Sequence, residues 1–218
     1  MKKRISDNAP LLDSLESAAY SVKKENLERS AKVMAAAFHD DPSIRYLLGG
    51  ETMGGDDWRY FLTILKAVYG KCIMLSSDKT IQDLLVLFPP RLKTVPTLRF
   101  FLNGGIGLCR FFGLKLFLRS LNYENNCQRI KERFLTPNTW YCMCFVVLPE
   151  KQGQGVGSHL IKPVLQILDD YHIQLYLETH KELNTRIYGH LGFDLVDISA
   201  IPGTATTQYA MLRTQRLR

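Results

Sequence analysis

The segment Cys-Phe-Val-Val-Leu-Pro-Glu-Lys-Gln-Gly-Gln-Gly-Val-Gly-Ser, residues 144–158, constrains this chain more than any other. An apolar strand stops at Pro149, alternating glycines turn the backbone, and a helix follows. Glycines without a Cβ let successive amide N–H groups approach an anion, and the open amides of the helix's first turn add partial positive charge. Charge-assisted hydrogen bonds of this kind contribute roughly 1.5–3 kcal/mol each, so a handful hold a pyrophosphate without a lysine. Spacing decides which phosphate loop is present. A Walker loop ends in Gly-Lys-Ser/Thr, whereas Gly157 is followed directly by Ser158. A dinucleotide fingerprint needs a third glycine where Ser158 stands, in a domain of repeated βαβ units that this chain lacks.

What remains is Gln152-x-x-Gly155-x-Gly157, preceded by Val147-x-Pro149. It resembles the acetyl-CoA signature of the GNAT N-acetyltransferase superfamily. Taken alone, such a turn also suits an ordinary strand-to-helix connection. A second segment strengthens the resemblance. After the apolar strand 173–177 comes Asn184-x-x-x-Tyr188-x-x-x-Gly192-Phe193, similar to the GNAT helix that presents an asparagine and a tyrosine to the cofactor. Residues four apart share a helix face, and Gly192 fits the cap that ends the helix. The resemblance is firm over about residues 139–213. Ala37-Phe38-His39-Asp40-Asp41-Pro42 resembles an Ala-Phe-x-x-Asp-Pro element of one GNAT branch.

The resemblance implies an α+β fold: a mixed, mostly antiparallel sheet with helices on both faces, in which two parallel neighbouring strands splay apart around CoA. It implies one domain over residues 1–218, with a helical insertion at about 90–135 and a cofactor half at about 139–213. Acetyl-CoA is the implied cosubstrate, and no metal is implied. Its contacts would come from Phe145, Val146 and Val147 on the strand, from Gln152, Gly153, Gln154, Gly155, Val156, Gly157 and Ser158 in the turn, and from Asn184 and Tyr188. Tyr188 matches the family tyrosine that protonates the leaving sulfur; a buried structural tyrosine is the competing reading. Glu178 is the candidate base, the alternative being a carboxylate bonded to neighbouring backbone. His180 reads as a solvated loop histidine, and Asp40 and Asp41 either as holders of a cationic substrate or as a turn at a helix end that needs no ligand. Where related sequences often carry a histidine before Trp140-Tyr141, Asn138 stands here.

Two function classes follow: an acetyl-CoA-dependent N-acetyltransferase acting on a small-molecule primary amine, or a catalytically inactive acyl-CoA-binding regulatory module. At 218 residues, 46% of them hydrophobic, the chain buries a core without disulfides or metal. The five cysteines are odd in number and show no C-x-x-C pair, which signals neither a disulfide framework nor a zinc site. Cys142 and Cys144, two apart, are expected on one strand face. The net charge of +7 suits a polyanionic ligand, yet the basic residues are scattered and no nucleic-acid motif appears. Nucleic acid is therefore not an expected partner, while a homodimer remains open. The start Met1-Lys2-Lys3-Arg4 is followed by no apolar run, so a cytoplasmic location is expected.

In the first half, a strand is expected near 18–22, helices over Glu25–Phe38 and Asp57–Ile73, and strands near 72–76 and 81–88. The stretch Leu98–Leu121 mixes Phe, Leu and Gly with Arg99, Arg110, Lys115 and Arg119. These charges argue against a spanning helix and stable membrane insertion. Two amphipathic helices broken near Asn103-Gly104-Gly105 are expected, serving as core, as a substrate-pocket lid, or as a membrane-surface contact. Pro163, inside the helix expected from Gly155 to Tyr171, should bend it.

Overall fold

Strand and glycine turn lie at the centre of a seven-stranded sheet in the computed structural model, which describes residues 9–50, 58–90 and 92–214. The strands are β1 (Tyr20–Ser21), β2 (Ile73–Ser76), β3 (Asp83–Phe88), β4 (Thr139–Val147), β5 (Gln174–Thr179), β6 (Asp194–Ala200) and β7 (Thr207–Arg213). Their order is β1-β2-β3-β4-β5-β7-β6. Every neighbouring pair is antiparallel except β4 and β5. The helices are α1 (Ala9–Ala18), α2 (Leu27–Ala37), α3 (Pro42–Leu48), α4 (Trp58–Val68), α5 (Thr97–Phe100), α6 (Ile106–Phe134), α7 (Val156–Asp170) and α8 (Glu182–His190). The sheet with helices on both faces is the architecture the resemblance implies.

Two apolar clusters, one on each face, hold it together. Leu160, Ile161, Val164, Leu165 and Leu168 of α7 form a helical stripe that packs with α1 on one face, against Leu75, Leu85 and Leu87. On the other face α2, α3 and α4 cover Leu84, Val86 and Phe88. All six residues of β3 are buried, because each alternate side chain meets a helix layer.

Several boundaries differ from expectation for local reasons. The strand near 18–22 is only Tyr20–Ser21, since α1 extends to Ala18. The helix expected over Asp57–Ile73 begins at Trp58 and stops at Val68, where Gly70 takes a left-handed conformation (φ 72°); Asp57 lies outside the described residues, as does the start Met1–Arg4. Asp41-Pro42 opens a further helix, α3, with the Asp41 carboxylate accepting from the Ser43 amide at 2.9 Å and Pro42 in the first turn, a pattern that suits a helix N-terminus. The stretch 98–121 breaks where expected, at Asn103 and Gly104 (φ 119°), but α6 has a second kink at Gly113 (φ 78°) and runs on to Phe134. Helix α7 continues through Pro163. Among the described residues, no helix is long and apolar enough to cross a membrane.

Candidate active site

Strands β4 and β5 pair from Thr139–Gln174 to Cys142–Leu177 and then separate. Beyond that point β5 stays with β7 through Glu178 and Thr179, while β4 stays with β3 to Val147. A bulge in β4 accompanies the separation. Val86 pairs with Cys144 and Leu87 with Cys142, leaving Met143 as the extra residue. Trp140 and Cys142 therefore join the α7-side cluster, whereas Met143, Cys144, Val146 and Leu148 all pack on the opposite side. This corrects the expectation that Cys142 and Cys144 share a face: period-two alternation holds only where no residue is inserted.

The bulge also fixes the backbone. The Leu148 amide donates to the Gln82 carbonyl at 2.9 Å, toward β3. By alternation Val146 turns its amide the same way, and those of Phe145 and Val147 point into the gap. The Val147 carbonyl, on that same edge, accepts from Gln152 Nε2 at 3.0 Å.

At the mouth of the gap the turn has the form its glycines require. Gly153 (φ 73°) and Gly155 (φ 83°) are left-handed, and Gly155 caps α7 without a side-chain hydrogen bond. The first amide of the helix ladder to find a carbonyl is that of His159, on Gly155, so the amides of Val156, Gly157 and Ser158 face outward. Gly157 allows a close approach: a Cβ there would lie 3.0 Å from Val147 Cγ2 and 3.1 Å from the Phe145 ring. The side chain of Gln154 closes the loop onto the Glu150 carbonyl at 2.7 Å. These residues fit a phosphorylated, amide-bearing ligand: outward amides at a helix start, continuing into an unpaired strand edge.

Helix α8 brings the second motif to the same gap. Asn184 donates to Thr179 Oγ1 at 2.9 Å, which ties α8 to the end of β5. Tyr188 packs edge-on against Phe193, with ring centroids 5.6 Å apart, and its hydroxyl makes no hydrogen bond among the described residues. Burial, reinforced by Cys142, Cys144 and Asp41, pushes the Tyr188 phenol well above its ordinary value of 10, so it stays protonated. Gly192 (φ 90°) ends the helix.

On the opposite side of the sheet lies a cavity of about 250 Å³. Its strand wall includes Tyr141, Met143, Cys144 and Glu178, and its far wall comes from α2, α3, α4 and α6. Glu178 accepts from the hydroxyls of Tyr141 and Tyr176, each at 3.1 Å, rather than from backbone. Burial raises its carboxyl above the ordinary 4.5, against the pull of Lys131 and with the repulsion of Glu124. Lys131, its side chain 1% exposed, lies 3.4 Å from Glu124 Oε1 and 4.2 Å from the centre of the Tyr141 ring. Burial disfavours its charge, but Glu178 and Glu124 outweigh that and keep it protonated.

His180 departs from the sequence expectation. It is not solvated: the side chain is 6% exposed, 3.4 Å from the Tyr123 hydroxyl and 4.0 Å from Asp41 Oδ1. Burial lowers it below the ordinary 6.5, opposed by Asp41, so it is neutral at pH 7. It stands between the cavity and an open cleft formed by Arg45, Tyr46, Arg119 and the β6–β7 hairpin. Asp40, by contrast, is exposed and pairs with Lys181 at 2.5 Å. Asn138 donates to the His172 carbonyl. Lys131 carried no signal in the sequence, and only the fold shows that it is buried.

A mixed sheet with one splayed parallel pair and a glycine turn at the mouth of the splay defines an acyltransferase-type architecture. The comparisons agree. Residues 118–193 match the Acetyltransferase (GNAT) family. An uncharacterized N-acetyltransferase of Schizosaccharomyces pombe is 26% identical over 193 residues, covering 81% of this chain and 74% of the relative. Among solved structures, a histone acetyltransferase HPA2 and related acetyltransferase from Corynebacterium glutamicum superposes with a TM-score of 0.57 at 17% identity, covering 92% of this chain and 97% of its own. Arylalkylamine N-acetyltransferase 2 from Aedes aegypti gives 0.54 at 12% identity, covering 90% and 97%. The chain has the GNAT fold, and its residues 118–193 match that family.

Proposed function

We propose that this chain transfers an acetyl group from acetyl-CoA to a small-molecule primary amine by direct attack. One observation carries this reading: the outward amides of α7 follow the end of β4, and just past the last β4–β5 pair Glu178 lines a cavity on the opposite side of the sheet. When bound, acetyl-CoA supplies an activated carbonyl and a thiol leaving group. The amides from Gly153 to Ser158 hold the pyrophosphate, and the backbone groups of Phe145 and Val147 accept an extended amide chain as a strand edge does. The Val147 amide donates to the carbonyl oxygen as charge develops there, a fixed donor that needs no reorganisation. Asn184 braces α8, and Tyr188 offers its proton to the sulfur.

Glu178 accepts the proton that the amine loses, directly or through water; its raised titration brings it closer to the working pH of a base. The N–C bond forms and the C–S bond breaks. One proton goes from nitrogen to Glu178 and then to solvent, the sulfur takes the proton of Tyr188, and the Tyr188 phenolate takes one back from solvent.

The test combines thermal unfolding with acetyl-CoA and a thiol-release assay over a panel of amines. Expected are a midpoint that rises with acetyl-CoA concentration, because the ligand binds only the folded chain, and thiol release that requires an amine. A midpoint that does not respond removes the donor site. A stable complex without acceptor-dependent release leaves a binding module instead.

A further inference from the structure

The charged groups of the cavity gather near its strand side, and the rest of the lining is mostly apolar, with hydroxyls from Ser43, Tyr60, Thr94, Thr97 and Ser120. Glu178, Tyr141 and His180 line the side nearest the splayed strands, with Lys131 and Glu124 next to them. Facing them are Phe38 of α2, Ile44 and Leu47 of α3, Ile64 of α4, and Leu108 and Leu116 of α6. Among the described lining residues the carboxylates are Glu124 and Glu178, both close enough to Lys131 to hold its charge. Away from Lys131 the described lining offers no further anion for a second cationic end.

Volume narrows the occupant further. An apolar cavity of about 150 Å³ lined by Leu, Ile and Phe takes benzene, and the cavity here measures about 250 Å³. That admits a ring with a two- or three-carbon arm, or a branched alkyl group of similar bulk. Most of the lining is apolar, so a hydrophilic amine that filled the space would pair only those polar groups that reach the few hydroxyls.

We infer that the acceptor is a primary amine bearing an aryl or bulky alkyl group, with its amino end at Glu178 and its apolar group between α2, α3, α4 and α6. This rests on the acetyltransferase reading above and names the substrate class of that site. The neutral amino end donates a hydrogen bond to Glu178, while burial of the tail supplies selectivity. Each buried methylene should raise kcat/KM roughly fourfold until the cavity is full. The helix that supplies Leu108, Leu116 and Phe117 belongs to the stretch whose role the sequence left open; here it serves as the pocket's outer wall.

The experiment measures thiol release from acetyl-CoA with ethylamine, butylamine, hexylamine, 2-phenylethylamine and putrescine, and titrates 2-phenylethylamine calorimetrically with and without CoA. The expected result is a rise along the alkyl series, 2-phenylethylamine at least 30-fold better than ethylamine, and putrescine below butylamine. Ile64→Trp, which fills the cavity, should flatten the series at least tenfold while acetyl-CoA still stabilises the fold. Should that variant fail to fold, Leu116→Ala enlarges the same space and should move the optimum to bulkier amines. A flat series, putrescine matching butylamine, or no binding of 2-phenylethylamine under either condition would overturn the inference. So would a preference for hexanoyl-CoA with small amines, which would assign the space to the acyl chain. Failure of acetyl-CoA to stabilise the fold strikes the acetyltransferase reading itself, whereas stabilisation with a flat amine series strikes only the acceptor class.

Discussion

On the α7 side of the splayed strands, the groups facing the gap are backbone amides, those of Phe145 and Val147 and of the turn that ends at Ser158. On the other side they are side chains brought from α2, α3, α4, α6, β4 and β5. Amides are positioned by the fold and survive most substitutions, provided the glycines keep the path open. Side chains can be exchanged one at a time without moving the strands. A molecule built this way can change its acceptor while keeping its donor, and substitutions on the two sides should fail in different ways.

Tyr188→Phe puts that separation to the hardest test, since the residue lies beside the donor yet is proposed to act only in the reaction. Turnover should fall roughly 100-fold or more while the calorimetric affinity for acetyl-CoA changes little. Unchanged turnover would return Tyr188 to a packing role against Phe193. Glu178→Gln should cost a comparable factor and also remove the rising limb of the pH–rate profile. A base must be deprotonated to work, and Glu178 is held above 4.5, so wild-type kcat/KM should climb with pH above that value. A limb that persists in the variant would assign it to another group.

Gly155→Val belongs to the donor side alone. At φ 83° a β-branched residue is strained, and the altered turn should weaken acetyl-CoA binding about tenfold or more, seen as a lost thermal shift after correction for the variant's own midpoint. An equal shift in both proteins would remove the cradle. The smallest effect is expected at His180. Its folded titration lies below 6.5, so the unfolded chain binds the extra proton first. The stabilisation from keeping it neutral is present above pH 6.5 and is lost as pH falls below it. Unfolding midpoints of His180→Asn should therefore decline less than wild type between pH 7 and pH 5; parallel curves would show that His180 titrates normally.

The glycine turn and the α8 face proposed for the donor were legible as structure, because they rest on glycine spacing and on an asparagine and tyrosine one helical turn apart, all within short segments. The acceptor side was not. Lys131 sits among Gln128, Arg129, Glu132 and Arg133 of α6 and looks solvent-facing until the sheet is placed beneath it. His180, next to Lys181, reads as a surface loop for the same reason. The bulge left no trace either: from Tyr141 to Val147 every residue is apolar, and a strand covered on both faces shows no alternation whose phase could slip. The break at Gly104 was readable from paired glycines, whereas the kink at Gly113 occurs at a single one.

The extra residue at Met143 divides β4 into two reading frames. Up to Cys142 the even-numbered side chains look toward α7; from Phe145 onward the odd-numbered ones do. Saturation mutagenesis of the strand should show tolerance for bulk switching parity at that point. Deleting Met143 would shorten the strand without changing that assignment, because Cys144 would then follow Cys142 in ordinary alternation. Phe145 and Val147 would keep the α7 face and Cys144 and Val146 the other, so what the deletion removes is the local bend and not the sorting of side chains between the two surfaces.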